Sequence, residues 1–172
     1  NLDHAKEVLR AIRQLGRPLR LYFPNGLRGD RVDGHLLDLL AEAGTVELVY
    51  AIETANVRLQ ALIKKHLNIP KVEHAIVETA KRGIIVNGFF MIGFPSETPA
   101  EMEETVEMIL RHMQVLHFPF LSIVRAFHGG ALYELALSLG YSEDFLLQHA
   151  RLPYGTQESI HAQLNFLPSD VL

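Results

Sequence analysis

Four short apolar runs, each followed by a segment of helical period, constrain this chain more than any other feature. They lie at residues 19–23 ("LRLYF"), 46–52 ("VELVYAI"), 84–92 ("IIVNGFFMI") and 120–124 ("FLSIV"). All are rich in β-branched and aromatic residues and nearly continuous in hydrophobicity. A strand with one wet face alternates apolar and polar residues; a strand of a parallel sheet covered on both faces does not. The intervening segments carry helical faces. Leu2, Ala5, Val8, Leu9 and Ile12 precede Gly16, and Leu36, Leu37, Leu39, Leu40 and Ala43 lie between the N-cap Asp33 and Gly44. Leu59, Leu62 and Ile63 follow Asn56, and Val72, Ala75, Ile76 and Thr79 lie between Pro70 and Gly83. Thr98-Pro99-Ala100-Glu101 is a capping box with proline at the first helical position, leading into Met102, Val106, Ile109, Leu110 and Met113. Leu132, Leu135, Ala136 and Leu139 stop at Gly140, and a further helix starts at Ser142.

A helix followed by four strand–helix units predicts an α/β fold built from crossovers. A complete eight-stranded barrel takes about 250 residues, and this chain of 172 offers about four strands. The competing forms are a small open sheet and a piece of a larger barrel. The sequence begins inside a helical pattern and ends on "LPSDVL", which reads as the first turn of another helix. The expectation is therefore a partial (β/α) TIM-type barrel over residues 1–150, with residues 151–172 a C-terminal extension or the start of a further element. Within it "ESIHAQLNF" reads as a short strand.

Composition narrows the function classes. The chain is 48% apolar and 21% charged with a net charge of −4, and its basic residues form no stripe beyond Lys64-Lys65. A small-molecule substrate fits such a chain better than nucleic acid. No apolar run approaches the roughly 20 residues of a membrane span, and the opening reads as a helix rather than a secretory signal. Both suit a cytoplasmic placement. There is no cysteine, hence no disulfide and no thiolate metal ligand from these residues.

In parallel α/β folds ligands gather at the carboxyl ends of the strands. The loops there read "PNGLRGD", "ETANVR", "GFPSETP" and "RAFHGG". Glu53 directly follows an apolar run, where its carboxylate suits a ribose hydroxyl or an ammonium group, or caps the helix near Asn56. Glu97 precedes a helix start, where the macrodipole alone favours an acid. Lys65 suits a helix C-terminus or a ligand carboxylate. Asn25-Gly26 reads as a turn of positive φ or a substrate contact. Arg125 closes a strand, facing substrate or pairing with an acid. The nine histidines form no recognisable zinc motif and default to solvated or capping roles, and Met91, Met102, Met108 and Met113 read as core filling.

The segments "PNGLRGDRVDGHLLDLLAEAG", "VELVYAIETANVRLQALIKKH", "GIIVNGFFMIGFPSETPAEMEETVEMI" and "VRAFHGGALYELALSLG", in that order, resemble successive strand–helix units of radical S-adenosylmethionine (SAM) enzymes, of the branch that carries a cobalamin-binding domain. The resemblance runs over about residues 1–140 and implies the middle and later units of the barrel, its C-terminal part only. It also implies SAM and a 4Fe-4S cluster as cofactors, with cobalamin as a further one. In that family a CxxxCxxC motif holds the cluster, and reductive cleavage of SAM yields the radical that abstracts hydrogen from substrate. Carried over by residue, Glu53 resembles the group that meets the ribose and methionine end, and Lys65 a basic position near the methionine carboxylate. Phe89 stands where some relatives place a ribose-binding acid. Gly93 and Pro95 shape the turn beside adenine, and the backbone at Ala126 meets adenine itself.

The sequence departs from the family pattern at Ala51 and Thr54 of "AIET", at Ser96 where glycine is usual, and at "FHGGALY". The missing cysteines are the largest departure. The leading reading is a fragment of a radical SAM oxidoreductase or methyltransferase, inactive by itself because the cluster has no ligands. A cluster-free binding or assembly scaffold is the alternative, and an ordinary barrel enzyme using Glu53 and Arg125 a third. An open part-barrel exposes sheet edges and apolar surface, so the isolated chain is expected to form a homo-oligomer.

Overall fold

A computed structural model describes residues 1–151; the proposed extension, including "ESIHAQLNF", lies outside the described residues. The chain opens with helix α1 (Leu2–Gln14), whose first turn is capped by the Asn1 side chain accepting from Asp3 N at 3.0 Å. Strand β1 (Leu21–Leu27) and a single 3-10 turn (Gly29–Arg31) lead into α2 (Gly34–Glu42) and β2 (Thr45–Glu53). Two helices, α3 (Val57–Leu62) and α4 (Ile69–Lys81), separate β2 from β3 (Ile85–Ile92). Then follow α5 (Pro99–His112), β4 (Leu116–Ile123), α6 (Ala131–Ser138) and α7 (Glu143–Arg151).

Sequence signals set the helix starts. Asp33, Asn56 and Asn68 each accept a backbone N–H of their own first turn, and Thr98 with Glu101 forms the complete capping box at Pro99. The four strands form one sheet in the order β1-β2-β3-β4, every neighbouring pair parallel. Consecutive staves lie side by side, as the alternating pattern requires.

Strand parity divides the two faces. Leu48, Tyr50 and Ile52 of β2 and Val86 and Phe90 of β3 are buried in one core with Leu37, Leu40, Val72, Ile76 and Met108 from the helices. Tyr50 carries a hydroxyl into that core, where it meets Thr79 Oγ1 at 2.7 Å; Thr79 in turn donates to the Ala75 carbonyl at 2.6 Å. The chain satisfies this buried polar group locally, as burial demands. Residues of the other parity, among them Tyr22, Ala51, Phe89 and Phe120, form a second face that the helices leave partly open. There Phe89 and Phe120 lie 5.6 Å apart between ring centroids.

Three sequence expectations change. β1 does not end at Phe23 but runs on through Pro24, Asn25, Gly26 and Leu27, so Asn25 is an exposed strand residue rather than part of a loop beyond the strand. The pairing slips there: Phe23 is opposite Leu48, yet Leu27 is opposite Tyr50. The turn signals Pro24-Asn25-Gly26 encode an irregularity inside an edge strand, not its end. Gly26 has φ 60 and passes so close to β2 that a Cβ would lie 2.7 Å from the Ala51 Cβ and 3.3 Å from the Phe89 ring. β4 begins at Leu116, four residues before the apolar run at 120–124. His117 and Pro119 masked it, and proline is tolerated because β4 is an edge strand. Met102 and Met108 are core as expected, but Met113 is 64% exposed at the end of α5.

Candidate functional site

Glu53 is the last residue of β2 and has φ 69, a conformation unusual for a side chain with a Cβ. Its Oε1 lies 2.6 Å from the Lys65 ammonium, with the two side chains only 17% and 18% exposed. Its second oxygen, Oε2, is buried without a partner. Lys65 does not sit in the last turn of a helix, because α3 ends at Leu62. A helix-dipole role therefore gives way to a direct ion pair with Glu53. Gln60 shapes the connection, its amide donating to the Ile52 and Thr54 carbonyls at 2.8 and 2.7 Å and accepting from Leu67 N at 3.2 Å.

The next strand ends in a turn built around another carboxylate. Gly93 (φ 81) and Ser96 (φ 72) take left-handed conformations, and Pro95 is buried between them. Glu97 is 2% exposed, far from the surface cap that its position before a helix suggested. Its Oε2 accepts from the backbone N–H of Gly93 at 2.5 Å and of Phe94 at 2.9 Å, while Oε1 is buried with no partner. Burial pushes the Glu97 carboxyl up to about 7 despite the two N–H donors. A proton there belongs on Oε1, since Oε2 is already occupied. The carboxylate thus folds the turn from inside. Sequence reasoning missed it; the available signal was an acid four residues after a strand-terminal glycine, within reach of two N–H groups that the sheet no longer uses.

The two turns are tied together. Arg58, in α3, grips Glu101 at 2.6 and 2.7 Å and donates to the Ser96 carbonyl at 2.8 Å. The Arg58 guanidinium holds the Glu101 carboxyl well down, to about 2. Behind them Thr54 meets Thr105 at 3.2 Å and the Asn56 amide meets Glu104 at 3.0 Å. The same packing reaches β4, since Leu59, Phe94 and Val124 share a buried cluster and Val124 N donates to the Ile92 carbonyl at 2.9 Å.

The carboxyl ends of three adjacent strands therefore form one braced rim. Glu53 and Lys65 meet on it, with Gly93 and Pro95 on the neighbouring turn, and Ala126, 1% exposed, follows β4. Phe89 lies lower on β3, opposite Ala51 in register, and presents only a ring. Asn25 lies on the exposed part of β1, and Arg125 is partly exposed beyond β4. Among the histidines, His112 pairs with Glu73 at 3.1 Å and His117 Nδ1 accepts from Val86 N at 3.3 Å, so both are structural.

A ligand with hydroxyl or ammonium donors fits Glu53, whose Oε2 lacks a partner, and the apolar Phe89–Phe120 wall suits a ring or an aliphatic chain. An iron–sulfur cluster does not fit these residues, because the sequence contains no cysteine to ligate it.

The Radical SAM superfamily profile matches residues 1–109. The chain belongs to the radical SAM superfamily. Over 96 residues it is 42% identical to cytidylyl-2-hydroxyethylphosphonate methyltransferase of Streptomyces wedmorensis, which covers 55% of this chain and 18% of that protein. The structure resembles the radical SAM methyltransferase TsrM from Kitasatospora setae, solved with cobalamin and a 4Fe-4S cluster bound. The TM-score is 0.63 at 23% identity, covering 73% of this chain and 26% of TsrM. It also resembles the radical SAM enzyme coproporphyrinogen III oxidase (HemN) from Escherichia coli, with a TM-score of 0.56 at 15% identity, over 96% of this chain and 36% of HemN. The chain thus spans about a fifth of the length of the curated relative. The superfamily resemblance read from the sequence holds, while the profile match does not place the chain in the C-terminal part of the barrel. The profile match stops short of β4, whose likeness to the family is carried by the fold. Among the described residues no helix is long and apolar enough to cross a membrane.

Proposed function

We propose that this radical SAM superfamily chain forms part of the SAM-binding rim of a larger enzyme, with Glu53 and Lys65 its polar contacts. The parent cleaves SAM reductively at a 4Fe-4S cluster held by other residues and uses cobalamin in methyl transfer to an organic substrate. Methyl transfer is preferred over oxidoreductase chemistry because both the curated relative and TsrM are methyltransferases. The observation that carries the reading is the juxtaposition of Glu53, with one oxygen unpartnered, and the Gly93 turn on adjacent strand ends.

The roles of the chain's own residues follow from their chemistry. Glu53 Oε2 accepts from a ribose hydroxyl or the ammonium of the methionine moiety. Lys65, held against Glu53 at 2.6 Å, presents positive charge to a carboxylate arriving at the same place. The Gly93–Pro95 turn and the main chain at Ala126 wall the adenine side. Phe89 contributes apolar surface only. When bound, SAM supplies the activated sulfonium; these residues bind and orient it.

The test is calorimetric titration of the parent enzyme with SAM. Glu53→Gln is expected to weaken binding about tenfold, or roughly 1.4 kcal/mol, and unchanged affinity would remove the rim from the SAM site. The isolated chain is expected to bind no stoichiometric iron after anaerobic reconstitution. Stoichiometric iron would overturn the assignment of the cluster to other residues. A cluster-free scaffold is the second reading, favoured by the absence of cysteine; a parent chain lacking any cluster motif would establish it. We also propose that the isolated chain self-associates through the outer edges of β1 and β4, unpaired among the described residues, and the exposed Phe118, Phe120 and Leu121. Sedimentation as a monomer alone would contradict this.

A further inference from the structure

Lys65 reaches Glu53 from a segment that does not hold its own shape. Beyond the end of α3 at Leu62, Lys64 (φ 56) and His66 (φ 50) take left-handed conformations on either side of it. Residues with a full side chain persist in that region only where their surroundings over-determine it. Gln60 does so from within: its carbonyl accepts from Lys65 N at 3.0 Å and His66 N at 3.2 Å, and its side chain accepts from Leu67 N at 3.2 Å. From outside, Arg28 donates from Nη1 to the Lys65 carbonyl at 2.7 Å and from Nη2 to the His66 carbonyl at 3.4 Å.

Arg28 is itself locked. Its Nε and Nη2 grip the two oxygens of Asp30 at 3.1 and 2.9 Å, and the Asp30 side chain is only 8% exposed. A planar fork that bridges a carboxylate and two carbonyls fixes both position and direction, which a lysine ammonium does not. The hydrogen bonds of Arg28 go to Asp30, Lys65 and His66, and none to Glu53.

We propose that Arg28 is a positioning residue for the SAM site. Locked by Asp30, it fixes the Lys65–His66 backbone so that the Lys65 ammonium meets Glu53 Oε1 and Glu53 Oε2 is left to face the cofactor. This rests on the reading of the rim as the SAM site. It assigns a role to the loop after β1, which reaches the site only through the backbone of a neighbouring unit.

The test is a double-mutant cycle on SAM affinity in the parent enzyme, combined with the 15N signal of the Lys65 ammonium in this chain. Arg28→Ala and Lys65→Met are each expected to weaken SAM binding about tenfold. Together they should weaken it no more than either alone, because both remove the same contact. Arg28→Lys should not rescue. The Lys65 ammonium signal, protected in the wild-type chain, should be lost to exchange in Arg28→Ala while the Glu97 turn amides keep their shifts. Multiplicative losses in the double variant, rescue by Arg28→Lys, or an unmoved Lys65 signal in Arg28→Ala would each overturn the proposal. Unchanged SAM affinity in Lys65→Met would instead sink the rim reading, and the ammonium signal alone then decides whether Arg28 positions Lys65.

Discussion

Two carboxylates lie at the carboxyl ends of neighbouring strands, Glu53 closing β2 and Glu97 in the turn after β3, and their surroundings give them opposite work. Glu53 and Glu97 each use one oxygen and leave the other buried without a partner. Glu53 pairs with a lysine at the rim. Glu97 faces inward and takes two backbone N–H groups that the sheet can no longer use. Burial, opposed by the two N–H donors, drives the Glu97 carboxyl toward its protonated form. The first arrangement suits a group meeting a polar ligand, and the second suits a turn that must keep its shape. Chemically identical side chains in comparable places thus divide into a lysine-paired rim carboxylate and a fastener.

The largest expected effect breaks the fastener. Glu97→Ala strands two buried N–H donors and should lower unfolding free energy by about 3 kcal/mol, read from urea denaturation with an unchanged slope. A smaller effect sharpens the contrast through pH. The folded chain holds the Glu97 proton to about pH 7, whereas the unfolded chain releases it near 4.5. The folded state therefore binds the extra proton, and the Glu97 contribution is greatest below 4.5 and lost as pH rises through 7. Glu97→Gln keeps an acceptor for both N–H groups and should flatten that fall, on the order of 2 kcal/mol. Glu101 runs the other way, since Arg58 holds it to about 2. Its contribution is present above 4.5 and lost as pH falls toward 2. Because the Arg58 side chain is 48% exposed, Arg58→Ala should cost about 1 kcal/mol or less at neutral pH. That difference should vanish in acid. A melting series across pH that showed one sign for both acids would erase the distinction.

The layered part of the fold was legible because periodicity reports burial directly. Leu48, Tyr50 and Ile52 sit in one core with residues of α2 and α4, as a strand covered by helices requires. The capping box at Thr98 and the caps Asp33 and Asn56 fixed helix starts for the same local reason. The edge strands were harder to read. Among the described residues β1 and β4 are each paired on one side only, so proline and histidine are tolerated in them and the apolar signal breaks up. At the rim, Glu53 stood out because it abruptly ended an apolar run. Its pairing with Lys65 depends on where a short helix stops, which spacing alone does not give. The burial of Glu97 left only the spacing from Gly93 as a signal, because a residue before a helix has much the same sequence context whether its side chain turns out to solvent or back beneath its own turn.

Gly26 crosses the open face of the sheet with no room for a side chain above Ala51. Main chain, not a replaceable side chain, therefore packs against Ala51 and Phe89 at that point. A designer seeking space for a bulkier guest gains nothing by editing Gly26 and must instead trim Phe89 or Ala51. Side-chain size at positions 51 and 89 is thus tied to the path of β1 and cannot grow while that path is kept.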